Sequence, residues 1–136
     1  MLIPILDKSK YLKGLLIIAR KDKKLAESER KIITGVAENL GFAKDFYEEV
    51  LHSLLANKYI DEESIKFSDV KIAESFIIDG LQLAYSDNIQ LNEIEWLRKT
   101  AAENGISEKW FSEKLSAVQK NHNGSFQKDF ALLSII

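Results

Sequence analysis

The sequence predicts an all-α fold, a single-domain bundle of about seven or eight helices built from two pseudo-symmetric helical repeats. Three observations lead there. The middle of the chain is written twice, Tyr11 to Leu54 and Phe76 to Val118 carrying one pattern about 65 residues apart, and such self-similarity marks a repeated structural unit. Proline occurs once, at Pro4, and glycine six times, so long uninterrupted helices are permitted from Lys8 onward. Apolar residues recur at helical rather than alternating spacing along the whole chain.

The elements follow in order. Leu12, Leu15, Leu16 and Ala19 give a first apolar stripe; Ile32, Ile33, Val36, Ala37 and Leu40 a second; Phe46, Tyr47, Val50, Leu51, Leu54 and Leu55 a third. Asp61 to Ser64 reads as a short helical turn between the repeats, and Ser68 or Asp69 as the cap of the next helix. The second copy answers with Val70, Ala73, Ile77, Leu81 and Ala84, then Ile94, Leu97 and Ala101, then Trp110, Phe111, Leu115 and Val118. Ala19 to Asp22 pairs with Ala84 to Asp87, and Ala37-Glu38-Asn39 ahead of Gly41 pairs with Ala102-Glu103-Asn104 ahead of Gly105. Gly41 and Gly105 each end one helix and turn the chain into another, because glycine takes a left-handed C-terminal conformation without a Cβ clash. Asn92 with Glu95 has the spacing of a capping box, whereas Ala26 with Glu29 has only half of it. Repeat one spans about 8–57 and repeat two about 69–120. After the turn-like Asn121 to Ser125, Phe126, Phe130, Leu132, Leu133, Ile135 and Ile136 make the segment 126–136 a last helix closing the core. The competing reading makes this tail a docking or dimerisation segment.

Composition sets the class. With 136 residues, 46% of them apolar, one core suffices for the whole chain 1–136 and buries roughly two-thirds of the unfolded surface. The absence of cysteine removes disulfides, thiolate metal sites and cysteine nucleophiles and fits a cytoplasmic setting. Met1 to Leu6 is apolar but lacks a basic lead-in and is far too short to span a bilayer, so no membrane insertion is expected. Residues 7–24 hold seven basic side chains against two acidic ones, while residues 61–95 hold nine acidic against two basic. Opposite charge on the two halves suits a protein partner or a second copy in a homodimer. Nucleic acid is not expected, since the basic run has no interleaved aromatics.

For chemistry the sequence excludes more than it offers. It has no glycine-rich phosphate loop, no nucleophile elbow and only two histidines, His52 at a helix rim and His122 in a polar loop, so no catalytic residue is assigned and an enzyme is not expected. One polar constellation occurs twice: a loop aspartate followed by carboxylates at the next helix start. In repeat one these are Asp22, Glu27 and Glu29, and in repeat two Asp87, Glu93 and Glu95. Oxygen ligands on a loop and a first turn can converge on a hard divalent cation such as Ca²⁺ or Mg²⁺, although neither loop has EF-hand spacing. The same residues also suit Asx turns and the positive end of the helix dipole.

A helix ending in Ala-x-x-Asp, a short loop with aliphatic Leu25, a helix opening on Glu29, then Ala-Glu-Asn-x-Gly and another amphipathic helix resemble the tellurite-resistance TerB-like family, which is also similar to the N-terminal region of the membrane-anchored DnaJ-like protein DjlA. The resemblance covers about residues 8–120 and implies an all-α bundle with a pseudo-twofold pair of helical hairpins. It also implies a cytoplasmic stress-response or tellurite-response protein with a metal ion on an acidic cluster, carried over onto Asp22, Asp87, Glu29 and Glu95. The family usually follows its aspartate with glycine, where this chain has Lys23 and Asn88. Lys21, Lys23 and Lys24 would repel a cation at Asp22, so the second loop is the stronger candidate. The expected function is a non-enzymatic stress-response interaction module with a weak divalent-metal site. The alternative is a metal-dependent enzyme or metal-binding regulatory protein using the acidic loops.

Overall fold

The computed structural model describes residues 2–20, 27–56, 63–86, 91–121 and 131–136. Six α-helices run in the order α1 (Ile5–Arg20), α2 (Glu27–Asn39), α3 (Lys44–Ala56), α4 (Val70–Ala84), α5 (Leu91–Glu103) and α6 (Glu108–Asn121), followed by a 3₁₀ turn at Ala131–Ser134. No strand occurs among the described residues, and the fold is all-α as the periodicity predicts. No helix among them is long and apolar enough to cross a membrane.

Pro4 opens α1 by offering its carbonyl to the Lys8 N–H at 3.0 Å, a position where its own missing N–H costs nothing. From the second turn onward α1 is apolar nearly all round: Tyr11, Leu12 and Leu15 to Ala19 are all buried. The same holds for α4, where ten of the fifteen residues are buried. Helices of that character belong inside, and α1 and α4 pack on each other as the central pair. The amphipathic hairpins flank them, α2 and α3 against α1, α5 and α6 against α4. The central contact is close because of glycine. A Cβ on Gly14 would collide with the Phe76 ring, and one on Gly80 would come within 2.7 Å of Leu97 Cδ2. Around Phe76 the rings of Tyr11 and Trp96 stand edge-on at 5.3 and 6.1 Å, and each large side chain so buried contributes roughly 1.5–3 kcal/mol.

The two hairpin corners are one motif. At the first, Gly41 (φ 90°) and Phe42 donate N–H to Glu38 O and Ala37 O; at the second, Gly105 (φ 75°) and Ile106 donate to Ala102 O and Ala101 O. This is the Schellman bond pattern, with glycine at the left-handed position. Ala37 thus matches Ala101, Gly41 matches Gly105 and Phe42 matches Ile106, a constant spacing of 64 residues. The Ala-Glu-Asn letters pair Ala37 with Ala102 and so slip by one, because the second copy lacks a residue between its asparagine and its glycine. The slip separates two asparagines that look alike: Asn39 is exposed and donates only to Gly35 O, whereas Asn104 stands in the place of buried Leu40.

That substitution has a use. Asn104 Nδ2 donates to Ile65 O at 2.6 Å and its Oδ1 accepts the Phe67 N–H at 2.8 Å. Asp7, buried in the first turn of α1, accepts from the Ser68 N–H at 2.9 Å and the Ser68 hydroxyl at 2.5 Å, and Lys10 Nζ reaches Lys66 O at 2.8 Å. The segment ahead of α4 is therefore laced to α1 and to the second corner, and its Ile65 and Phe67 are buried. Glu63 and Ser64 are not helical, in contrast to the expected turn at Asp61–Ser64, of which Asp61 and Glu62 lie outside the described residues. Of the alternatives for the cap of α4, Asp69 takes the role, its Oδ1 accepting the Lys71 N–H at 2.7 Å.

Three further expectations change. Leu91 is already helical, so Asn92 lies inside the first turn of α5 and does not precede it as a cap. Phe46 is half exposed and stacks on Phe42 at 5.4 Å, while Tyr47 and Leu51 are buried; the side chains of Leu54 and Leu55, expected on the same stripe, lie outside those described. Of the last helix expected over 126–136, residues 126–130 lie outside the described set and Ala131–Ser134 is a 3₁₀ turn, which packs on α4 and α2 with Leu132 fully buried.

Candidate functional site

Asp22 and Asp87, the loop aspartates of the candidate cation sites, lie outside the described residues, as does His122. The helix-borne carboxylates divide into two groups. Glu29 and Glu93 are each 1% exposed, and at the 64-residue spacing of the corners they occupy equivalent places in the first turns of α2 and α5. Both are engaged in interactions with other groups. Glu27 is exposed, and Glu95 is exposed too, its carboxylate 3.5 Å from Arg98 Nε one turn along the same helix. Arg98 also pairs with Glu108 and lies over the Phe111 ring. Glu95 is thus bound into a surface ion-pair and ring cluster, and the pairing of Glu29 with Glu95 gives way to Glu29 with Glu93. The letter pairing of Glu29 with Glu95 stands two residues off the backbone match, where that of the corners stands one off.

The acidic ends of the two repeats approach each other. Ser28, next to Glu29, donates its hydroxyl to Ser86 O at 3.1 Å, so the first turn of α2 abuts the chain leading into Asp87. Ser86 in turn ends α4 by donating its hydroxyl to Leu83 O at 2.7 Å. A carboxylate at a helix N-terminus meets unpaired N–H groups and the positive end of the dipole, and both glutamates are engaged by further groups besides. Among the described residues alone, no three acidic or histidine side chains gather closely enough to hold a metal. His52 is exposed on α3.

A second polar cluster was not legible in the repeats. Tyr11 on α1 donates its hydroxyl to Asp79 Oδ2 at 2.5 Å and shares a hydrogen bond with Ser75 Oγ at 2.8 Å, while Asp79 accepts the Ala131 and Leu132 N–H groups at 2.7 and 3.2 Å. All three side chains are buried. Burial pushes the Asp79 carboxyl up to about 6 against the hydrogen bonds from Tyr11 and the two backbone groups, which act the other way. Burial, then the charge of Asp79 and its bond, raises the Tyr11 hydroxyl well above its ordinary range. The buried cluster joins α1, α4 and the C-terminal turn. The signal for it was an aspartate inside the apolar run Phe76-Ile77-Ile78-Asp79-Gly80-Leu81, where no solvated face exists. Beside it a surface groove of 250 Å³ is lined by Lys71, Glu74 and Ile78 from α4, Trp110 and Lys114 from α6, and Ile135 from the tail, with Lys114 Nζ 5.5 Å from the Trp110 ring centre.

Comparison of the chain with protein-family models, with curated proteins and with solved structures returns no match.

Proposed function

We propose that this chain is a non-enzymatic interaction module of the TerB-like, stress-response kind, working in the cytoplasm as one domain of two helical repeats, and that a divalent cation at its acidic end orders the two interhelical loops. The observation that carries the reading is the burial of Glu29 and Glu93 at equivalent first-turn positions, each following a loop that bears an aspartate. A hard cation with oxygen ligands would add to the interactions that already engage those buried carboxylates. The Ser28 to Ser86 hydrogen bond favours treating the two loops as neighbours that share a cation over treating them as separate sites. Glu27 and Glu95, both exposed, drop out of the ligand set.

Titration of the full chain with Mg²⁺ or Ca²⁺, followed by amide NMR, tests this. Saturable shifts confined to the first turns of α2 and α5, weakened in Glu93→Gln and retained in Glu95→Gln, support the cation reading. The lack of any shift at about millimolar ion, a concentration at which even weak Ca²⁺ modules bind, rejects it.

A further inference from the structure

The two central helices start at the same end of the molecule. Tyr11 bonds to Ser75 and Asp79, Gly14 lies against the Phe76 ring and Gly80 against Ile18, so α1 and α4 run parallel. The bonds from Ser68 to Asp7 fasten their beginnings together. This end carries an apolar tip. Leu2, Ile5 and Leu6 stand 97%, 79% and 66% exposed, Pro4 among them is exposed as well, and Val70 at the start of α4 is half exposed. Ile3, which is buried, fixes the run to the core. Single exposed aliphatic residues are ordinary on a protein surface, whereas a cluster of them marks a site of interaction.

The tip is ringed by positive charge. Over residues 2–13 and 63–71 five lysines, Lys8, Lys10, Lys13, Lys66 and Lys71, accompany three carboxylates. None of the lysines is buried. Of the carboxylates, Asp7 is buried against Ser68 and Asp69 caps α4. The second corner, tied to this end by Asn104, adds Glu103 and Glu108 against Arg98 and Lys109 and so leaves the excess unchanged. The Ser28 to Ser86 bond sets the acidic helix starts at the other end of α4, whose 15 residues put them about 22 Å away, beyond a Debye length of about 8 Å.

We propose that this tip docks on an anionic lipid surface, with Leu2, Ile5, Leu6 and Val70 entering the headgroup layer and the lysines behind them meeting the phosphates. The charge and the shape of the tip both favour that occupant. A second copy meeting the tip through an isologous contact would set one ring of lysines against another. Side chains as open as Leu2 and Ile5 have no neighbours walling them into the groove that a helical peptide fills. A bilayer needs no such walls: apolar side chains sink about 5–10 Å into the interface, and each nearby lysine adds attraction to anionic lipid. The contact is with one leaflet only, since no helix among the described residues is long and apolar enough to cross.

Co-sedimentation of the full chain with vesicles of phosphatidylcholine, alone or mixed with phosphatidylglycerol, tests the proposal. EDTA is present throughout, so that no divalent cation bridges carboxylate to phosphate and a negative result leaves the cation reading standing. Binding should require phosphatidylglycerol and weaken at least about tenfold between about 0.1 M and about 1 M salt, as the Debye length shrinks from about 10 to about 3 Å. Ile5→Ser and Leu6→Ser, at exposed positions that leave the core intact, should each weaken it about tenfold. Lys13→Glu combined with Lys71→Glu should weaken it by at least as much. Leu91→Ser, at an equally open leucine on the acidic end, should leave it unchanged. No binding to the mixed vesicles, equal binding to phosphatidylcholine alone, or an equal loss in Leu91→Ser overturns the proposal. A dimer in light scattering that Ile5→Ser disperses, without vesicle binding, assigns the tip to a second copy and overturns it too.

Discussion

Asp79 contributes to stability in the direction opposite to the usual acid lability of carboxylates. Its carboxyl is raised from 3.8 to about 6 by burial. A group whose folded pKa lies above its unfolded value stabilises the fold most below the unfolded pKa, and that contribution is lost as pH rises through the folded one. The rise from 3.8 to about 6 corresponds to about 3 kcal/mol between the acid and neutral limits, of which about 1 kcal/mol falls between about pH 5 and about pH 7.5. Asparagine at this position keeps an acceptor for the Ala131 N–H and a donor for Tyr11 while removing the charge. Urea unfolding of the wild type and Asp79→Asn, followed by helical circular dichroism across that range, isolates the term, since other carboxylates titrate alike in both. The wild type should lose about 1 kcal/mol relative to the variant as pH rises. Parallel pH profiles for the two proteins would refute the reasoning, and so would a relative gain toward neutral pH.

Other substitutions test the packing. Asn104→Ala should cost about 1–3 kcal/mol by leaving the Ile65 carbonyl and Phe67 N–H without their partner, whereas exposed Asn39→Ala should change stability by less than about 0.5 kcal/mol; equal costs in denaturant titrations would restore the letter pairing of the two asparagines. Thr100 is fully buried, its hydroxyl has no hydrogen-bond partner among the described residues, and it stands where Val36 stands in the first hairpin, so Thr100→Val should be neutral or stabilising by about 1 kcal/mol, and a loss of melting temperature would contradict this. Gly14→Ala forces a methyl into the Phe76 ring and should cost about 1–3 kcal/mol in the same assay; an unchanged midpoint would show that α1 and α4 can part there freely.

Much of the fold was legible in the sequence, for reasons the structure makes concrete. The helices follow from 3.6-residue apolar spacing, and the corners from Gly41 and Gly105, because those positions need a backbone that other residues adopt only under strain. Periodicity marks an apolar face but not the identity of the element that covers it, which is why Phe46 looked like core and is half exposed. Register failed where identical letters outvoted geometry: Ala-Glu-Asn recurs, yet its second asparagine has moved into a leucine's place to tie down the chain ahead of α4. The clamps by Asp7, Asn104 and Asp79 join residues 61, 39 and 52 positions apart, and local spacing carries no record of such bonds. For the candidate site, the sequence named Glu93 and Glu95 together, and local spacing could not say that Glu93 is buried and Glu95 exposed.

The central claim is that the acidic ends of the two repeats serve one cation. Mn²⁺ relaxation enhancement on the full chain tests it most directly, because the ion broadens amide signals by distance alone. The account predicts that Ser28 and Glu29 in α2 broaden together with Asn92 and Glu93 in α5 at substoichiometric ion, while Phe42, beyond the far end of a helix about 20 Å long, stays sharp. Broadening at one helix start without the other, or none at either, would contradict it.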